Sequence, residues 1–536
     1  MSEDDIVPTT WGEERVRLDE WESSTIGRLL LESAARQPDR AALQWLEDGQ
    51  LQSLTWHRLA RLALAGAARL RSGSETRFPI AVMSDNSMSW YVLFWSAALS
   101  GRPLVPINPN LTAGEVRALL IDSGPVTVLA SDVHGRHLIG RVREAGRDLI
   151  AADQVVEIAE WVSSLGEAAD AIVGETSLPF AVEPADTLVV QFTSGTTGEP
   201  KGVVLSHQAC LNAARTLAAR TSSAEHEIWC SPMPLHHVGG SVALALGTAT
   251  LAGTYVMVTD FSALNFLESA VQSNATFIGG VPTLFLRMME DPELARMKPP
   301  NLRAILLGAS AVPATLIRRI EKHFGAPVLV MYGQSEAPAI TETSREDDLW
   351  TKSNTVGRVL PHRELRVVNT QTGLPCVLDE VGEICVRTKV RMDGYLNRPE
   401  ETAATVDSEG WIHTGDLGAL DRENRLHFHG RLKDLIVRGG ENISAREVEL
   451  AIEAHPDVAM AAVVGLPDPT WGEVVAAMVV LNPGCTLRLE ELREPVSAGL
   501  APFKRPVHWR IADALPLTAS GKPQKFKIIE LLRAEI

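Results

Sequence analysis

The chain has 536 residues, 45% of them apolar, and a formal charge of -17. Such a length exceeds what one hydrophobic core supports and predicts at least two domains with room for a large buried site. The acidic balance, with no Arg/Lys cluster longer than a few residues, excludes general nucleic-acid binding, so an anionic substrate must be met by local cations.

The chain opens on the acidic Met1-Ser2-Glu3-Asp4-Asp5, which lacks an apolar h-region, so no secretory signal is expected. A helix is expected around Thr25–Arg36, an Ala/Leu/Arg helix near His57–Arg71 and a strand over Phe78–Met83; such alternation predicts parallel sheets covered by helices. Four later apolar runs each end in small or polar residues. Leu188–Phe192 runs into Thr193 to Gly202, Thr276–Ile278 into Gly279-Gly280-Val281-Pro282, Ala304–Leu307 into Gly308-Ala309-Ser310, and Val328–Met331 into Tyr332-Gly333-Gln334-Ser335-Glu336. Ligands of open α/β sheets collect outside the carboxyl ends of strands, so these four loops are expected to line one cleft.

After the first loop come a strand, Val203–Leu205, and Ser206 as N-cap of a helix through Arg220. The uncharged stretch Val238–Thr259 is long enough for a membrane span, but its Gly, Ser and Thr and the lack of flanking Lys/Arg read as a buried helix followed by a strand. The five cysteines (Cys210, Cys230, Cys376, Cys385, Cys485) are odd in number and form no C-x-x-C pair, which reads as reduced thiols in a cytoplasmic protein. Beyond Arg431–Lys433, a helix at Ala445–Ala454, strands at Met460–Val464 and Val474–Leu481, and a basic tail suffice for a small α+β domain, dividing 1–431 from 432–536.

The loop Thr193-Ser194-Gly195-Thr196-Thr197-Gly198-Glu199-Pro200-Lys201-Gly202 has a phosphate-cradling composition. Glycines let backbone N–H groups approach phosphate oxygens, the hydroxyls of Thr193, Ser194, Thr196 and Thr197 can donate, and Lys201 adds a point charge. It is no Walker loop: Pro200 pushes Glu199 out of the helical region and no hydroxyl follows Lys201. A polyphosphate is the expected ligand.

Six further motifs follow in order: Pro234-Leu235-His236-His237-Val238-Gly239-Gly240, Tyr332 to Glu336, Gly394-Tyr395 with Pro399-Glu400-Glu401-Thr402, Trp411-Ile412-His413-Thr414-Gly415-Asp416, Gly430 to Ile443, and Pro516 to Lys522. In this register the chain resembles the adenylate-forming superfamily of acyl-CoA synthetases, adenylation domains and firefly-type luciferases. The resemblance implies an α/β fold: a large N-terminal domain of helix-covered, mostly parallel β-sheets plus a β-subdomain, with a small mobile α+β C-terminal domain. It also implies an ATP-dependent ligase joining a carboxylic acid to AMP and passing the acyl group to a thiol. Thr193 to Gly198 and Lys201 would hold the β- and γ-phosphates, Glu336 would bind Mg²⁺, and Lys522 would sit between the attacking carboxylate and the α-phosphate. Tyr332 would offer a ring face to adenine, with Gly308, Ala309 and Ser310 reading its edge and Gly333, Gln334 and Ser335 completing the nucleotide site. Asp416 would accept both ribose hydroxyls, Arg431 would contact ribose and phosphate, and Lys433 would be the hinge. A degenerate, non-catalytic relative would lack Lys522, Glu336 or Asp416, and all three are present.

His236-His237 stand where amino-acid-activating relatives place an aspartate, which disfavours an α-amino acid. His237 resembles the gate beside the carboxylate, with Val238, Gly239, Gly240, Ser241, Gly279, Gly280, Gly308 and Gly333 at the acyl pocket. Small side chains read as widening it, so a bulky aryl or alicyclic acid, or a medium-to-long acyl chain, is expected. Arg438-Gly439-Gly440-Glu441 resembles the signature of acyl-CoA synthetases, implying coenzyme A as thiol, with Arg438, Lys504 and Arg505 as cations for its phosphates. An acyl carrier protein remains the alternative acceptor. His427 and His429 share a strand face without a third ligand, so no zinc site is expected there.

Overall fold

The computed structural model describes residues 10–11, 21–72, 78–132, 136–172, 178–193, 200–221, 226–308, 312–439, 441–482, 484–517 and 523–534. Four sheets organise it. In the seven-stranded sheet the strands Val155–Glu157, Thr127–Ala130, Ile80–Met83, Leu104–Pro106 and Thr187–Thr193 run parallel, and Lys201–Ser206 and Gly394–Tyr395 add antiparallel at one edge. The nine-stranded sheet has a parallel middle that includes Phe277–Gly280, Ala304–Leu307 and Val328–Tyr332 side by side. A five-stranded antiparallel sheet carries Gly382–Thr388, Trp411–Leu420 and Leu426–Arg431. The fourth sheet is formed entirely by strands after residue 434, with helices Ala445–Glu453, Leu489–Gly499 and Lys525–Arg533 beside it. This is the mixed α/β architecture with a separate C-terminal β-containing unit.

The expected helices form for local reasons. Thr25 and Thr55 cap Ile26–Arg36 and Trp56–Arg71, each hydroxyl accepting from the backbone N–H three residues on. Helix Met88–Ser100 is apolar on all sides and accordingly buried on all sides, which a helix tolerates only between two other layers. One contiguous core joins its Trp90 and Trp95 to Val82 of the seven-stranded sheet and to Trp229 and Tyr255 of the nine-stranded sheet, so these helices fill the space between the sheets. Edge-to-face and offset ring pairs, such as Tyr91 with Trp95 at 6.0 Å and Trp229 with Phe277 at 4.3 Å, each add about 0.5–1.5 kcal/mol beyond burial.

Val238–Thr259 proves to be a π-helical stretch, Gly239–Leu246, then Gly247–Thr250 and the strand Thr254–Met257. No helix among the described residues is long and apolar enough to cross a membrane. Several predicted boundaries move. The strand expected from Phe78 begins at Ile80, because Pro79 lacks an N–H to pair and Phe78 is exposed. Gly279 and Gly280 belong to a strand rather than to the loop after it, and Tyr332 ends its strand. Five free cysteines are present, four of them buried.

Candidate active site

Thr193 and Lys201 are cross-strand partners, so a single antiparallel pair pins both ends of the Gly/Thr loop. Ser194, Gly195, Thr196, Thr197 and Gly198 lie outside the described residues. The Lys201 ammonium sits 5.1 Å from the centre of the Tyr395 ring, and the Tyr395 hydroxyl donates to Glu336 Oε1 at 2.8 Å. Backbone bonds fix this bridge: Leu396 N–H to Gly202 O at 2.7 Å, and Met392 N–H to the Glu336 carbonyl at 2.8 Å. Burial and the neighbouring Glu336 raise the Tyr395 phenol above its usual value, keeping it a donor. Tyr395 thus joins the loop lysine to the expected metal-binding carboxylate, whose Oε2 has no hydrogen-bond partner among the described residues.

On the other flank, Tyr332 is buried at the end of its strand, its ring 5.6 Å from that of Phe428. Its hydroxyl donates to Asp416 Oδ2 at 2.7 Å. Asp416 pairs across the sheet with Arg431, whose Nε is 3.5 Å from Oδ1. The carboxylate expected to accept both ribose hydroxyls therefore already accepts a phenol on one oxygen. Asp416 follows a side-chain-held turn in which Glu383 Oε1 accepts from Gly415 N–H at 3.0 Å and Thr414 Oγ1 accepts from Asp416 N–H at 3.1 Å. Glu383, Cys385 and His413 bring an oxygen, a sulfur and a nitrogen within 4.8 Å of one another. Carboxylates already face both His413 nitrogens, Glu383 Oε2 at 2.9 Å and Asp407 Oδ2 at 3.6 Å, and a cation would have to displace them. His427 is bonded to Asp421 at 3.0 Å.

His237 is half-buried, its Nδ1 accepting from Gly239 N–H at 3.0 Å and its carbonyl from Gly240 and Ser241 N–H. Burial, with His237 and Arg136 nearby, lowers His236 to about 3, so that imidazole is neutral. The His236 carbonyl accepts from Gln191 at 2.9 Å, tying this segment to the strand that leads into the phosphate loop. Val238 and Ser241 are buried behind it.

The reading that small residues widen the acyl pocket fails at most of its glycines. A Cβ on Gly240 would lie 2.2 Å from the Pro234 carbonyl oxygen, one on Gly333 2.6 Å from the Ala339 nitrogen, and one on Gly279 3.1 Å from the Leu244 side chain. Gly239 and Gly280 are similarly filled, by His237 and by Phe266 with Phe285. These residues are small because the chain packs against them. Only at Gly308 does a Cβ meet nothing nearer than 3.8 Å. Ala309 and Ser310 lie outside the described residues.

Among the expected thiol-site cations, Lys504 is paired with Glu447 at 2.6 Å and Arg505 donates to the Leu500 carbonyl. Arg438 lies 5.8 Å from the centre of the Trp471 ring and donates to the Phe503 carbonyl. Gly439 has φ +60, and a Cβ there would lie 2.8 Å from the Trp471 ring; Glu441 is exposed, and Gly440 lies outside the described residues. Lys433, in the turn Leu432–Asp434, is exposed rather than structurally buried. A cavity of about 530 Å³ separates helix Ala445–Glu453 from Val312–Thr315, with Phe428 and His429 in its wall. Lys522 lies outside the described residues. The bridging role of Tyr395 and the place of Glu383 escaped the sequence reading; the one hint was a lone acid beside the apolar run Ile384–Val386.

Comparison with known proteins places residues 30–396 in a family of AMP-binding enzymes and residues 447–522 in the C-terminal domain of AMP-binding enzymes. A CoA ligase of Mycobacterium tuberculosis, named for a methyl-dioxo-octahydroindenyl propanoyl group, is 32% identical, with 87% of this chain and 91% of that protein covered. The rat medium-chain acyl-CoA ligase ACSF2 is 29% identical over 96% of this chain and 88% of its own length. The crystal structure of ATP-bound MatB from Rhodopseudomonas palustris superposes with a TM-score of 0.81 at 26% identity, covering 94% of this chain and 98% of that one.

Proposed function

The chain belongs to the AMP-binding enzymes and is an AMP-forming acid–thiol ligase of their acyl-CoA synthetase branch, and from that premise we propose that it activates a bulky alicyclic or aryl acid, or a medium-to-long acyl chain, for transfer to coenzyme A. The observation that carries the assignment of the site is the Lys201–Tyr395–Glu336 bridge standing beside the Tyr332–Asp416–Arg431 cluster. It joins a cation, a hard oxygen donor and a ribose-type acceptor carried on or beside strands of three sheets.

A carboxylate oxygen of the acid attacks the α-phosphorus of ATP; the bond to the bridging oxygen breaks and pyrophosphate leaves, producing a mixed anhydride. Both reactants are anionic, so the rate depends on cations placed where charge accumulates. Lys201 and Thr193 face the outer phosphates in this reading, and Lys522 faces the α-phosphate. Glu336 fits Mg²⁺ through the oxygen that has no hydrogen-bond partner among the described residues, and the ion would neutralise phosphate charge. His236 is a neutral imidazole, while His237, anchored by Gly239 N–H, would flank the carboxylate in this reading. In the second step the thiol attacks the acyl carbon, AMP leaves, and the thioester forms. The boundary near Arg431–Lys433 would let residues 432–536 swing between the two steps.

The acid class is supported by the names of the relatives, one alicyclic and one medium-chain. It is also supported by the uncharged π-helical stretch after His237. Pyrophosphate release across a panel of carboxylic acids, with and without CoA, tests it. Alicyclic, aryl or medium-to-long acyl acids are expected to lead the panel, and acetate as the best substrate would overturn the class. Turnover only with a holo acyl carrier protein would transfer the thiol assignment to that acceptor.

A further inference from the structure

Opposite Gly382–Thr388, the strand Trp411–Leu420 loses register: Glu383 pairs with Leu417, whereas Cys385, two residues on, pairs with His413. Thr414-Gly415-Asp416 stand opposite the single Ile384, two residues more than the ladder needs, and bulge out of it. Bulges re-aim side chains and leave backbone groups that something else must satisfy. Here side chains do it. Thr414 Oγ1 donates to the Ile384 carbonyl at 2.7 Å and accepts from Asp416 N–H, and Gly415, at φ +67, gives its N–H to Glu383 Oε1. The other Glu383 oxygen faces His413 Nδ1, whose far nitrogen faces Asp407. The Glu383 side chain is 14% exposed with both oxygens engaged.

We propose that Glu383 is a positioning residue for the nucleotide: it clamps the Gly415 turn, with His413 as its brace, so that the Asp416 carboxylate is presented between Tyr332 and Arg431 at the ribose. The inference rests on the reading of Asp416 as the ribose contact. The bulge carries the one left-handed residue of this strand, Gly415, and the Glu383 carboxylate accepts that residue's N–H. Without the carboxylate, Gly415 N–H loses a charge-assisted bond, the turn relaxes toward the regular ladder, and Asp416 rotates away from Tyr332.

The test uses the full-length enzyme and reads nucleotide affinity separately from catalysis. Glu383→Ala is expected to weaken binding of AMP and of a non-hydrolysable ATP analogue, and to raise KM for ATP, by about 10-fold or more, the worth of a hydrogen bond to a charged group. KM for the acid and for CoA should not move. Glu383→Gln keeps an acceptor for Gly415 and should restore most of the affinity. In an Asp416→Ala background, Glu383→Ala should cost nothing further, because the two act as one unit. Should Glu383→Ala fail to fold, Glu383→Asp, too short to span both partners, carries the same comparison. Parallel rises in KM for ATP and acid, or additive losses in the double variant, would overturn the inference. Unchanged nucleotide affinity in Asp416→Ala alone would instead overturn the reading of the site beneath it.

Discussion

At the scale of single residues, the chain shows how a phenol can serve two charges at once. Tyr395 presents its ring to Lys201 and its hydroxyl to Glu336. Tyr395→Phe keeps the ring and removes the donor, so steady-state kinetics are expected to show about a tenfold loss in kcat/KM for ATP. Lys522→Ala is expected to slow acyl-AMP formation by about 10²–10³ while sparing thioester formation from preformed acyl-AMP, as separate half-reaction assays would show. Lys201, Glu336 and Asp416 were named from motifs in the sequence, and the structure joins the first two through Tyr395 and sets the third against Tyr332 and Arg431. The Tyr332–Asp416 bond and the Glu383 clamp were not legible there, because each joins segments far apart in the chain and depends on sheet register that no local pattern encodes.

At the scale of elements, parallel strands and capped helices were readable from apolar runs and hydroxyl caps, whereas strand ends were not. Gly279 and Gly280 look like a loop in sequence yet continue a strand, because Phe266, Phe285 and Leu244 fill the space their side chains would take. The same physics governs Gly240. Gly240→Ala would press a methyl into the Pro234 carbonyl and is expected to cost about 1–3 kcal/mol, seen as a lower apparent unfolding midpoint, without enlarging any pocket. Strand Thr341–Glu342 offers a pH signature. Burial raises the Glu342 carboxyl to about 8 from its ordinary 4.5, and Thr221 hydrogen-bonds it. The folded state therefore holds this proton more tightly than the unfolded state. The resulting stabilisation is full below about pH 4.5 and is lost as pH rises through about 8. Glu342→Gln, neutral throughout, is expected to flatten that decline in denaturation midpoints measured from pH 5 to pH 9.

At the scale of the whole molecule, the exposed Lys433 marks the turn about which residues 432–536 would rotate. Lys433→Pro is expected to leave acyl-AMP formation nearly intact and to stop thioester formation; equal loss of both would count against a pivot there. The bridge at Tyr395 reaches further than its chemistry. Its strand extends one sheet, its hydroxyl grips a residue just beyond the end of a second, and the chain then runs on into the third. A nucleotide bound there, in the proposed reading, would act as a rivet through three plates, adding to the apolar packing and to bonds such as Tyr332–Asp416 that already join them. Saturation at about 100 times the dissociation constant should add about 2.7 kcal/mol to all of them together. Enzyme short of ATP would then be the form that proteases cut first.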